Sequence, residues 1–105
     1  MTEKIAVLST VGSAEEAGRI ARHLVDRRVA ACVNIIAGAR SVYRWKGNIE
    51  EAEEWLLIIK TRGVLFEQLQ AELKSVHSYE VPEIIALPVV EGYPPYLDWL
   101  TEETS

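Results

Sequence analysis

Apolar residues recur along this chain with two periods, and the switches between them mark out the elements. Residues 5–10 form a short run rich in Ile, Val and Leu, which reads as a strand. Gly12-Ser13-Ala14-Glu15-Glu16 follows. There Ser13 can accept from the N–H of residue 16 and Glu16 can reach back to that of residue 13, the pattern of a capping box. Ala14, Ala17, Ile20, Ala21, Leu24 and Val25 then fall on one face at helical spacing. Arg27 and Arg28 close that helix, where cations suit its dipole. Residues 29–36 are apolar and β-branched, a second strand. Gly38 marks a bulge or bend, and residues 41–45 resume extended structure. Lys46-Gly47-Asn48 is the turn of a hairpin. The acidic stretch 49–54 leads into a strongly apolar third strand over 55–61. Leu65, Leu69, Leu73 and Val76 predict a second amphipathic helix over 62–77. Pro82 cannot continue a helix, residues 83–87 read as a fourth strand, and Pro94-Pro95 begins a short closing helix with Leu97 and Leu100 on one side.

The order is β-α-β-β-α-β plus a tail helix, an α+β chain with the ferredoxin-like antiparallel sheet and both main helices on one face. No linker, repeat or low-complexity segment divides it, so residues 1–105 are expected to form one domain. A strand with one wet face should alternate apolar and polar residues. Trp55-Leu56-Leu57-Ile58-Ile59 does not, nor do Ile5-Ala6-Val7-Leu8 and Ile84-Ile85-Ala86-Leu87. Two helices cannot cover both sides of a sheet, so self-association is expected, with the hairpin of residues 41–54 as an arm toward a neighbour. Each Leu or Ile left bare forfeits roughly 1.5–3 kcal/mol, and several together make a sticky patch.

Charge narrows the function. The net charge is −5 and the basic residues are scattered, with Arg27-Arg28 the only adjacent pair. A nucleic-acid binder needs a clustered basic face, so none is expected as a partner. The first residues lack a basic leader and a long apolar run, and no stretch approaches a membrane span. Direct membrane insertion is therefore not expected. The single cysteine, Cys32, suits a reducing compartment, so the expected location is the cytoplasm.

The candidate chemistry is sparse. His77 lies beside Tyr79, Glu80 and Glu83. An imidazole with carboxylates can hold a divalent ion weakly, or His77 can cap the helix end while its neighbours make structural contacts. Cys32 offers a soft ligand for copper(I), or is a small buried hydrophobe in a central strand. The run Glu50-Glu51-x-Glu53-Glu54 lacks the spacing of a built cation loop and reads as a solvated hairpin. Tyr43, Trp45 and Trp55 either stack on a planar ligand or bury area between subunits. Lys60 and Arg62 stand where an anion could meet a helix start, without a Gly-rich phosphate cradle. His23 reads as solvated on the polar side of the first helix. Acylphosphatase shares the element order, but its chemistry needs an anion loop ending in Arg after the first strand. Here Ser9-Thr10-Val11-Gly12-Ser13 has no Arg before Arg19. With no Ser-His-Asp or Cys-His set either, an enzyme is not expected.

Five strings carry a resemblance. They are Ala31-Cys32-Val33-Asn34, Ser41-x-Tyr43-x-Trp45-x-Gly47, Glu54-x-x-Leu57-x-x-Lys60-Thr61, His77-Ser78-Tyr79-Glu80-Val81-Pro82-Glu83-Ile84 and Tyr96-x-x-Trp99. In this order, from Thr10 to Trp99, the chain resembles the CutA family of divalent-cation tolerance proteins. The resemblance implies a thermostable homotrimer arranged like the PII signalling proteins. It implies a role in tolerance of divalent ions, with copper the metal most discussed, no required cofactor and no agreed catalytic activity. A membrane-protein partner stays open. So does the alternative of a PII-like sensor binding a small anion in an intersubunit cleft. The candidate metal ligands are His77, Glu80, Glu83 and Cys32. The candidate cleft or interface residues are Tyr43, Trp45, Trp55, Lys60, Tyr79, Glu80 and Trp99. The chain departs from the family string His-Pro-Tyr-Glu at Ser78. Copper-binding members use a cysteine in the first strand and a His pair, where this chain has Ser9 and Val76-His77.

Overall fold

In the second half of the first strand, β1 (Lys4–Val11), alternate residues sort by environment: Val7, Ser9 and Val11 are buried, while Ala6, Leu8 and Thr10 are not. The computed structural model, which describes residues 2–105, continues through α1 (Ala14–Asp26), β2 (Cys32–Trp45), β3 (Asn48–Arg62), a 3-10 turn (Gly63–Leu65), α2 (Phe66–Val76), β4 (Ile85–Pro88) and α3 (Pro94–Glu103). The expected α+β architecture is present, as one antiparallel sheet in the order β2-β3-β1-β4 with three helices. Directly paired residues share a face. Val7 opposite Ile59 and Ser9 opposite Leu57 therefore look the same way. There they meet Ala17, Ile20 and Leu24 of α1 and Leu69 and Leu73 of α2 in one core.

The other face behaves as the two-sided strands predict. Leu8 pairs with Ile58 and with Ile85, Ala6 with Leu87, and Ile36 with Leu56. Neither α1 nor α2 covers this row. Ile36, Ile85 and Leu87 are 46%, 51% and 48% exposed.

Several elements differ from expectation, each for a local reason. The third strand begins at Asn48, not Trp55, because the acidic stretch is zipped to β2 from Ala39–Glu54 to Trp45–Asn48. Lys46 and Gly47 turn that hairpin with φ of 50° and 85°, the double left-handed geometry of a two-residue loop that follows strand twist. Strands of 14 and 15 residues explain a long axis of 44 Å against 25 and 23 Å. The second helix starts as a 3-10 turn because Gly63 is tied by its N–H to Glu3 O at 2.7 Å, and a Cβ there would stand 3.2 Å from that same oxygen. The fourth strand is shorter than 83–87 and begins at Ile85. Glu16 does not close a capping box; Ser13 Oγ accepts from Glu16 N–H at 3.1 Å, but the Glu16 carboxylate turns elsewhere. His23 is not merely solvated: its Nε2 lies 2.7 Å from Glu72 Oε1, joining α1 to α2.

The Gly38 bulge is present and it matters. Between Ile36–Leu56 and Ala39–Glu54, β2 advances three residues while β3 advances two, with Gly38 at φ 84°. The extra residue reverses side-chain phase. Beyond it, Ser41, Tyr43 and Trp45 point to the same side as Ile36 and Glu54.

Two buried hydroxyls in this sheet, Ser9 Oγ and Thr61 Oγ1, have no hydrogen-bond partner among the described residues. Leaving a buried polar atom unpaired costs roughly 1–3 kcal/mol. Thr61→Val keeps the branched shape and removes the hydroxyl, so the variant is expected to unfold at higher denaturant with an unchanged slope. A lower midpoint would contradict this.

Candidate functional site

Where β1 ends, the chain must let a ring pass. A Cβ on Gly12 would stand 3.3 Å from the Tyr79 hydroxyl. Tyr79 lies in the segment between α2 and β4, and its hydroxyl donates to Glu54 Oε2 at 2.6 Å. The groove beside this pair holds about 700 Å³ and is lined by Thr10, Ser41, Val42, Tyr43, Trp45, Glu54 and the Tyr79-Glu80-Val81 segment with Glu83. The bulge at Gly38 supplies one wall by turning Ser41, Tyr43 and Trp45 toward Glu54.

His77 anchors the segment from beneath. Its side chain is fully buried. Nε2 donates to Thr10 O at 2.8 Å, and Nδ1 accepts from Tyr79 N–H at 3.0 Å. Those two bonds assign the neutral Nε2–H tautomer and occupy both nitrogens. The ring also packs on Tyr79 with centroids 4.7 Å apart. Glu16 completes the anchor. It accepts from Ser78 N–H at 2.8 Å and Ser78 Oγ at 3.0 Å, and lies 3.8 Å from His77 Nδ1. The serine that departs from the family's proline thus provides two donors that proline lacks.

Burial pushes the Glu16 carboxyl up, but the two Ser78 hydrogen bonds, with the nearby Arg19 charge, outweigh it, and the net shift is downward from 4.5. A carboxyl depressed on folding stabilises above its ordinary pKa and loses that contribution as pH falls through the folded value. Stability is therefore expected to fall on acidification below about 4.5, and Glu16→Gln to flatten that limb. An acid limb identical in the variant would contradict the assignment. Tyr79 shifts the other way. Burial, then its bond to Glu54 and the Glu54 charge, hold the phenol well above 10.0, so it remains a neutral donor.

The remaining candidates do not gather here. Cys32 pairs with Lys60 near the far end of the ladder, half-buried on the edge strand β2 and not in a central strand. Its nearest polar contact is Asn34 Oδ1 at 3.9 Å, and Lys60 Nζ donates to that same Asn34 oxygen. Lys60 is thus outside the groove. Trp55, opposite Val11, packs against the helix-side core and is not a groove wall. Trp99 stacks on Tyr96 with centroids 5.6 Å apart and lines a separate hollow with Val25, Ala30 and Ala31. His77, Glu80, Glu83 and Cys32 do not converge. Among the described residues no three His, Cys, Asp or Glu side chains come together as a metal ion requires. The donors present do not fit a tight copper centre. Nothing in the sequence marks Glu54 and Glu16 as site residues, by contrast, because their partners lie 25 and 62 positions away.

Comparison with known proteins gives a consistent set. The family model for the CutA1 divalent ion tolerance protein matches residues 5–103. The divalent-cation tolerance protein CutA of Thermus thermophilus is 52% identical over 99 residues, spanning 94% of this chain and 96% of that one. The human protein CutA is 48% identical over 100 residues, 95% of this chain but only 56% of its own length, so this chain spans about half of that relative. Among solved structures, the Thermus thermophilus divalent cation tolerance protein superposes with a TM-score of 0.94 at 50% identity, covering 97% of this chain and 99% of that one. The periplasmic divalent cation tolerance protein CutA of Archaeoglobus fulgidus gives 0.94 at 40% identity, with the same coverages. Among the described residues, no helix is long and apolar enough to cross a membrane.

Proposed function

The chain belongs to the CutA1 family of divalent ion tolerance proteins, and on that premise we propose that it serves divalent-cation tolerance as a homotrimer, sister chains closing over the bare face of the sheet. The observation that carries this reading is the row of Ile36, Ile85 and Leu87, each about half exposed beside Leu8, Leu56 and Ile58. Burying such side chains stabilises by roughly 1.5–3 kcal/mol each. The need for a cover comes from this face; the number three comes from the family. The β2–β3 arm, extended along the 44 Å axis, is the element that would embrace a neighbour.

The matched proteins carry tolerance names and not enzyme names, and we read this chain likewise as non-catalytic. Tolerance here works without a dedicated copper centre, since His77 is committed to backbone partners and Cys32 stands apart. Contact with metal ions is weak and made through solvated carboxylates. A lone half-buried thiol suits the cytoplasm, although the Archaeoglobus relative is named periplasmic. The alternative of an anion sensor finds no support in a groove lined by Glu54, Glu80 and Glu83.

The test is growth. In a bacterium lacking its own CutA protein, the wild type is expected to restore growth in excess divalent cation, and Ile85→Asp with Leu87→Asp to fail. Failure of the wild type, or full rescue by the double variant as single chains, would overturn the reading.

A further inference from the structure

The end of α1 is strained. Arg28 N–H is bonded to Val25 O and Val29 N–H to Leu24 O, the paired bonds of a Schellman turn. That turn puts the residue after the cap in the left-handed region, and Arg28 stands there at φ 59°. Glycine is the usual occupant, because a side chain crowds its own backbone in that region. An outlier of this kind persists where the surroundings hold it. Here the guanidinium reaches across to α3. Its Nη1 donates to Glu103 O at 3.2 Å and stands 4.0 Å from the Glu103 carboxylate.

A second arginine meets the same end of α3. Arg62, the last residue of β3, donates from Nε to Thr104 Oγ1 at 2.8 Å and from Nη2 to Thr104 O at 2.6 Å. The last carbonyls of a helix lack partners within it, and cations suit that end of its dipole. The two arginines thus take two such carbonyls, Glu103 O and Thr104 O. Apolar packing adds little. Among the ten described residues of α3 only Leu100 is buried, and it stands outside the core that α1 and α2 form on the sheet. Trp99 stacks on Tyr96 of its own helix and leaves a hollow of about 350 Å³ toward Val25, Ala30 and Ala31. A ten-residue helix is marginal in water by itself.

We propose that Arg28 and Arg62 form a clip on α3, and that α3 is a strap which opens and melts as a unit while the sheet, α1 and α2 stay folded. Segments with few buried apolar contacts open locally, at lower free energy than the core. The clip does not depend on the tolerance reading. It uses none of the side chains of the Ile36, Ile85 and Leu87 row or of the groove beside Tyr79.

Hydrogen exchange of the intact, assembled protein tests it. In the wild type the amides of residues 98–103 should exchange at least about tenfold faster than those of β1, the strand paired on both sides. Arg62→Ala removes two charge-assisted bonds, so it should speed α3 at least about tenfold more and leave β1 unchanged. Arg28→Gly separates the clip from general stability. It should speed α3 several-fold while the unfolding midpoint of the core holds or rises, because the left-handed turn is relieved. That variant also carries the test if Arg62→Ala does not fold. Amides of α3 that exchange only together with those of β1 would overturn the strap. Rates in α3 indifferent to both changes would overturn the clip, as would Arg28→Gly speeding β1 as much as α3.

Discussion

Ile85→Asp combined with Leu87→Asp is expected to turn the assembled protein into single chains of 11.8 kDa without unfolding them. Both residues lie on the edge strand β4, opposite Leu8 and Ala6, and both point away from α1 and α2. In a lone subunit each is about half exposed, and surface substitutions of that kind usually change fold stability by about 0.5 kcal/mol or less. In an assembly the same positions would be buried. The variant then loses roughly 1.5–3 kcal/mol of apolar burial at each position and adds a carboxylate desolvation cost of several kcal/mol. Symmetry repeats that loss at every interface. Circular dichroism should match the wild type while the sedimenting mass falls to one chain. An assembly that survives both carboxylates would show that another surface holds it.

His77→Ala is expected to be the most damaging single change in the candidate site, lowering stability by about 2–4 kcal/mol. It strands the Thr10 carbonyl and the Tyr79 N–H and leaves a void where the imidazole packs on the phenol. The same variant separates structure from metal chemistry. Copper titration calorimetry, in conditions where the variant stays folded, should give the wild-type isotherm. A loss of copper binding with the fold intact would make His77 a ligand after all.

Much of the fold was legible because its signals are local. Ser13 caps α1, the Ala17-Ile20-Leu24 spacing faces the core, and Gly38 bulges β2, all as the sequence suggests. What escaped depends on pairing. Residues 49–54 look like a solvated acidic stretch, yet their backbone is strand because β2 supplies the ladder. Trp55 and Glu54 are neighbours in sequence but occupy opposite faces, so the aromatic packs in the core and the acid in the groove. Within a single chain Trp55 therefore stands on the helix side of the sheet, one residue out of phase with the groove. The strand assignment placed Cys32 centrally, whereas the sheet order leaves β2 at the edge. Nothing local to Glu16 announces that Ser78 will claim its carboxylate.

The uncovered row of Leu8, Ile36, Leu56, Ile58, Ile85 and Leu87 is the feature on which the proposed assembly rests. Sedimentation equilibrium of the wild type at micromolar concentration measures its consequence directly. One species of three chain masses is the predicted result. A stable species of 11.8 kDa, with that face open to water, would contradict it.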